Sequence, residues 1–163
     1  MALDTKSLLS SHAALLSCAW TAGTIGGIIN CLIAPLCGAL HLTTALGVQI
    51  VPPLLKDDLY SKTFWGGLWG LLLLLPWRKL TKHWALQAFL LGCFPSLVQL
   101  FLVFPLNTDA GAAGLGLGTL TPVFVFFFNT VGWSFPAFAW FALAAPHNRE
   151  KYIADPAGNP LLD

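Results

Sequence analysis

The chain alternates between long stretches free of Asp, Glu, Lys and Arg and short polar interruptions. Such stretches run for 49 residues between Lys6 and Lys56, 15 between Lys62 and Arg78, 26 between Lys82 and Asp109, and 39 between Asp109 and Arg149. A helix needs about 20 residues, at about 1.5 Å each, to cross the hydrocarbon of a bilayer. The pattern therefore predicts an all-α, polytopic helical membrane protein with four transmembrane helices, at about 13–36, 61–80, 84–105 and 120–144. The second is the shortest, but Lys62 and Arg78 can snorkel from its ends. Residues 37–55 stay apolar yet are punctuated by Gly38, His41, Gly47, Gln49 and Pro52-Pro53, which predicts an interfacial or re-entrant segment on the outer side. The alternative is a fifth span at 32–52, for which Asn30 and Pro35 would be the only punctuation. Residues 1–145 then form a single transmembrane domain, and 146–163, closing with Asp155-Pro156-Ala157-Gly158-Asn159-Pro160, a short disordered cytoplasmic tail.

Composition supports lipid as the solvent. Of 163 residues 56% are apolar and 9% charged, where a soluble domain carries about 25% charged residues. The mean hydropathy is +0.73. A net charge of +1 gives no electrostatic footprint for nucleic acid, so the expected partners are the bilayer and, beyond it, a homo-oligomer or larger membrane complex.

Charge placement predicts orientation. Arg78, Lys79 and Lys82, three of the eight basic residues, fall in one short stretch bracketed by Trp77 and Trp84. The positive-inside rule puts that turn in the cytoplasm. Lys56 and Lys62 are cancelled by Asp57 and Asp58, and the 106–119 connection holds only Asp109, so those two connections belong outside. Four spans then bring both termini to the cytoplasmic side, where Lys6 faces Asp4 and Arg149, Glu150 and Lys151 leave a positive balance. The run Leu15-Leu16-Ser17-Cys18 loosely resembles a lipobox, but Ala19-Trp20-Thr21-Ala22-Gly23 continues apolar instead of opening a polar tether, so an uncleaved first span is expected.

Small residues recur every four positions: Ala19, Gly23 and Gly27, then Ala22 and Gly26, and on the second span Gly66 and Gly70. This small-x-x-x-small pattern lets helix backbones approach closely in lipid. It predicts packing faces at Gly23, Gly27, Gly66 and Gly70, inside the bundle or, on a sharper reading, between copies. Trp65 and Trp69 fit the outer interface, Trp77 and Trp84 the inner one. Pro95 and Pro136 predict kinks, because proline lacks an amide hydrogen and frees a carbonyl that lipid cannot satisfy.

The chemistry is defined mainly by what the spans do not contain. None of the predicted spans carries Asp, Glu, Lys, Arg or His near its middle, where ion coupling, proton relay or voltage sensing would place them. A Ser-His pair, an Asp pair or a zinc motif for intramembrane proteolysis is likewise not visible. No catalytic residue, metal site or cofactor is predicted, and a lipid-modifying enzyme is disfavoured for want of an acid-base pair. The glycines at 111, 114, 116 and 118 lack the lysine and spacing of a phosphate loop and read as a flexible outer loop. Cys18, Cys31, Cys37 and Cys93 form no C-x-x-C pair and read as small buried hydrophobes. His12, His83 and His147 fall near the inner interface and His41 near the outer one, where solvated imidazole is expected.

Three amides do lie inside spans: Asn30, Gln99 and Asn129. Asn30 and Gln99 come late in outward-going helices and Asn129 early in an inward-going one, so all three should share one height in the outer half of the bilayer. An unpartnered amide in hydrocarbon costs several kcal/mol. They should face one another as a hydrogen-bonded clasp, or line a polar site for a ligand or neutral solute.

The glycine-rich first helix (Gly23-Thr24-Ile25-Gly26-Gly27), the basic turn after the second span, and Gly92 followed by Phe104-Pro105-Leu106 together resemble the small YagU-like bacterial inner-membrane proteins. The resemblance implies a bacterial inner-membrane location and a function largely unknown, with a link to acid resistance. It departs where Pro52-Pro53 is followed by Leu54 instead of arginine, and it carries over no functional residue. The expectation is a non-enzymatic membrane-embedded accessory or oligomeric protein. The alternative is a small channel or transporter for a neutral solute lined by Asn30, Gln99 and Asn129.

Overall fold

A computed structural model of the chain describes residues 5–50 and 55–145. The tail at 146–163, with His147 and its charges, and Pro52-Pro53 lie outside the described residues. Every regular element among the described residues is helical.

Helix α1, Thr5–Ala39, passes through Pro35 and is followed by a single helical turn, α2, Leu42–Ala45. Helix α3, Lys56–Gly70, tightens into a 3-10 turn at Leu71–Leu74. Helix α4, Trp84–Val98, widens into a π segment at Gln99–Val103 and closes as α5, Phe104–Asn107. Helix α6, Thr121–Phe127, likewise passes through a π segment at Phe128–Ser134 into α7, Phe135–Ala144. Three helical rods are long and apolar enough to cross a membrane: His12–Ala39, Trp84–Asn107 and Thr121–Ala144.

Several expected boundaries change. The helix expected at 61–80 begins earlier, at Lys56, and its regular helix is over by Leu74. The reason is local: Pro76 disfavours helical geometry for the residue before it, and Leu75 is extended at φ −68°, ψ 149°. Trp77–Lys79 then forms a separate short 3-10 turn. Among the described residues, no single helix runs over 32–50. Continuous α1 reaches Ala39, and His41 turns the chain with a left-handed φ of 57°. The segment at 40–50 is closed on itself by Thr43 Oγ1 donating to the Ile50 carbonyl at 3.0 Å and is joined to the 108–118 loop by the Gln49 amide donating to the Leu117 carbonyl at 2.8 Å. That loop is itself hydrogen-bonded, with a 3-10 turn at Ala112–Leu117 and Gly114 buried beneath Phe104.

Packing places α1 between α3 and the Thr121–Ala144 rod, and that rod between α1 and the Trp84–Asn107 rod. Close approaches run in opposite chain directions at each of these contacts, so neighbours are antiparallel. The basic turn thus lies at one end of the bundle, and the 40–50 and 108–118 segments at the other.

Polar side chains are buried alongside the apolar core, and many large apolar ones lie on the surface. Gln87, Ser96, Thr121, Asn129, Thr130 and Ser134 are buried, while Leu106, Leu143, Phe101, Val123 and Leu36 stand out on the surface. Helices that pack polar residues inward and large apolar ones outward are suited to a solvent of lipid chains. The apolar core is divided into layers. One gathers Leu15, Leu73, Trp77, Leu91, Trp133 and Phe141 toward the basic turn. Two smaller ones, around Cys37 with Phe128 and around Leu100 with Phe104 and Val125, lie toward the loops.

Candidate functional site

Between these layers the three intramembrane amides meet. Asn30 Nδ2 on α1 donates to Asn129 Oδ1 at 3.2 Å, and Asn129 Nδ2 donates to Gln99 Oε1 at 3.1 Å. One residue from each membrane-length rod thus forms a continuous amide chain, with Asn129 in the middle and the most deeply buried. The heights match. Asn30 precedes the end of α1 at Ala39 by nine residues, Gln99 precedes Asn107 by eight, and Asn129 follows Thr121 by eight. At about 1.5 Å per residue each lies about 12 Å inside the loop end of its helix.

Gln99 and Asn129 both lie in π segments, and the two segments are built alike. Each ends just before a Phe-Pro pair, Phe104-Pro105 and Phe135-Pro136. Proline has no N–H to donate and its ring crowds the carbonyl four residues back, so widening the preceding turn relieves the clash. A π turn also rotates the side chains that follow it, which is a common way to aim polar residues inward. The kink expected at Pro95 is displaced: α4 continues past Pro95, and the departure from α geometry starts at Gln99.

A polar seam continues from the amides toward the basic turn along the contact of the Trp84–Asn107 and Thr121–Ala144 rods. Ser134 Oγ donates to the Ala88 carbonyl at 2.7 Å, with the Thr130 carbonyl at 3.1 Å, and Ser96 Oγ to the Gly92 carbonyl at 2.7 Å. Gly92 is needed there. A Cβ on it would come within 2.9 Å of both Ser134 Oγ and Thr130 Oγ1. Thr130 Oγ1 is buried and makes no hydrogen bond. At the basic-turn end of the seam Gln87 Nε2 donates to the Thr81 carbonyl at 2.6 Å.

The glycines face one another across α1 and α3. A Cβ on Gly23 would strike the Gly66 carbonyl oxygen and lie 2.6 Å from Gly70 Cα. One on Gly27 would strike the Lys62 carbonyl oxygen, and one on Gly66 would come within 2.6 Å of the Gly23 carbonyl oxygen. These are backbone neighbours inside one chain, so the predicted faces at Gly23, Gly27, Gly66 and Gly70 serve internal packing.

Trp77 was read from sequence as a belt residue, and Trp133 carried no sequence signal; both indoles donate to backbone carbonyls. Trp77 is buried, and its Nε1 donates to the Leu72 carbonyl at 2.7 Å, closing the end of the 3-10 turn from inside the bundle; Trp84 is exposed. Trp133 Nε1 donates to the Gly23 carbonyl at 3.0 Å, joining the Thr121–Ala144 rod to α1 where the glycines bare the backbone. Ser96 shared a helix face with Gly92 and Gln99 and could have been read from that spacing. Thr130 and Ser134 could not, because the π segment shifts their phase.

Among the described residues, no group of three His, Cys, Asp or Glu is placed to hold a metal ion. Cys31 and Cys37 are buried, and Cys18 and Cys93 half-buried, without disulfides. His41 and His83 are exposed. No family model, curated protein or solved structure matches the chain.

Proposed function

We propose that the protein is a non-enzymatic integral membrane protein that crosses the bilayer four times and acts as a membrane-embedded accessory or oligomeric component. The observation that carries this reading is the amide chain. The strongest intramembrane hydrogen-bonding groups, on Asn30, Asn129 and Gln99, are largely engaged with each other at the junction of three helices. Such an arrangement serves assembly of a polar-locked bundle whose outer surface is apolar. The α3 helix with its 3-10 extension, 56–74, is the second span in this reading, shortened by Pro76 and held to α1 by the glycine faces. The positive turn at 78–82 supports a cytoplasmic side for that turn and both termini, and the YagU-like resemblance supports a bacterial inner membrane and a role in acid or other stress.

Native mass spectrometry of the protein in nanodiscs tests the reading. A defined oligomer, or a stoichiometric complex with another membrane protein pulled from its own membrane, is the expected result; a bare monomer in both preparations would sink it. Survival of a deletion strain at low pH tests the stress assignment, and unchanged survival would remove it.

A second reading, a pathway for a neutral solute, is favoured by one feature. The amide chain leaves the Asn30 carbonyl and the Gln99 amino group at its ends, and the Thr130 hydroxyl beside it is buried without a partner. Solute-driven shrinking and swelling of proteoliposomes decides it. Flux above empty liposomes that falls in Asn129→Leu would establish it, and flux equal to empty liposomes would eliminate it.

A further inference from the structure

We infer that the 76–84 turn is a binding site for the phosphodiester headgroup of an anionic phospholipid. Arg78, Lys79, Lys82 and His83 are all exposed on this one turn. No acidic residue occurs between Asp58 and Asp109, so the turn and the helices leading into and out of it carry no negative side chain. The turn is held in shape from beneath. Trp77 is buried with its indole bonded to the Leu72 carbonyl at 2.7 Å, Gln87 Nε2 bonds the Thr81 carbonyl at 2.6 Å, and the His83 amide bonds Thr81 Oγ1 at 3.2 Å. These bonds hold in place the backbone from which the cations project.

What surrounds the cations identifies the occupant as a lipid. Leu80 and Trp84 are 72% and 58% exposed on the same turn, and Leu75 stands out just before it. Exposed leucine and indole between cations suit the boundary of acyl chain and headgroup, and a soluble anion would leave them in water. The first turn of α4 adds to the field: it has no side-chain cap and no acidic residue, so its amides present positive partial charge toward the same side. The site takes a lipid phosphate through Lys79 and Lys82, with the acyl chains lying along Leu80 and Trp84. This inference rests on the membrane reading but not on the accessory role.

The test is native mass spectrometry of the full chain in micelles offered phosphatidylglycerol and phosphatidylcholine at equal mole fraction. Wild type is expected to retain the anionic lipid preferentially. Each lysine near a lipid surface contributes about fivefold, so Lys79→Gln with Lys82→Gln should lower that preference by about 25-fold. The thermal midpoint of the double variant in phosphatidylcholine should match wild type, because neither lysine is buried. Raising the salt to about 0.5 M should erode the preference of wild type. Equal retention of the two lipids by wild type, or undiminished preference in the double variant, would overturn the inference. Displacement of the lipid by equimolar inorganic phosphate would also overturn it, as the mark of a simple anion site. Extraction of the protein only by detergent reports on the membrane reading separately.

Discussion

Asn30 and Asn129, 99 residues apart in sequence, are joined side chain to side chain at 3.2 Å, and the same Asn129 reaches on to Gln99 at 3.1 Å. One amide thus ties together the first, third and last long helices at a single height, with apolar layers on either side of it.

Removing the middle of that chain should cost more than removing an end. Asn129→Ala breaks both bonds, whereas Asn30→Ala or Gln99→Ala breaks one. Interhelical hydrogen bonds in membranes contribute about 0.6 kcal/mol on average and up to about 1.7. Asn129→Ala should therefore destabilise by about 1–3 kcal/mol in a detergent-unfolding titration, and each end variant by about half that. Equal stability of all three variants and wild type would rule out the clasp. A double-mutant cycle between positions 30 and 129 should return a coupling of about 0.5–1.5 kcal/mol.

The α1–α3 contact should be intolerant of a single methyl group. Gly23→Ala or Gly66→Ala drives a Cβ into the opposite backbone, which cannot rotate away as a side chain can. A loss of about 3 kcal/mol, at the upper end of overpacking costs, is expected, with reduced yield of folded protein. Gly132→Ala is the control. Its Cβ would lie 3.3 Å from Asn30 Cα, and a small helix shift should hold the cost below about 1 kcal/mol.

Trp133→Phe keeps an aromatic ring but removes the donor to the Gly23 carbonyl along with part of the buried ring, and Trp77→Phe does the same for the Leu72 carbonyl. Each should lower stability by about 2–3 kcal/mol, from the lost hydrogen bond and the cavity left together. Trp84→Phe, at an exposed position, should leave it unchanged. Chemical melts of the three variants side by side check this, and losses at positions 77 and 133 no larger than at 84 would show that the buried indoles contribute little.

At the loop end, Gly118 has a φ of +134°, and a Cβ on it would strike the Gly47 carbonyl oxygen. Gly118→Ala should unlatch the 40–50 segment from the 108–118 loop while leaving the rods packed. Faster amide exchange at Gln49, whose N–H bonds Leu117, with an unchanged global unfolding midpoint, is the expected pair of results. Unchanged exchange at Gln49 would show that the latch does not depend on this glycine.

The charge-free runs, the recurrence of small residues every four positions and the isolated basic turn were enough to read an all-helical, membrane-type chain from sequence. Long apolar segments in lipid have few options besides helix, because each must satisfy its own backbone. The meeting of Asn30, Gln99 and Asn129 could be anticipated for a related reason: amides in hydrocarbon at one height have few partners but each other. Other features depended on how the helices came together. The pairing of Gly23 with Gly66 within one chain instead of between copies required the antiparallel seating of α3 on α1, which periodicity alone does not distinguish. The early end of the second helix followed from Pro76, yet the inward turn of Trp77, whose indole shares the Leu72 carbonyl with the Leu75 amide, followed from packing. The two π segments, and with them the buried positions of Thr130 and Ser134, arose because Pro105 and Pro136 had to be accommodated inside packed rods. A sequence read at a constant 3.6 residues per turn loses phase at such points, and only the packed structure restores it.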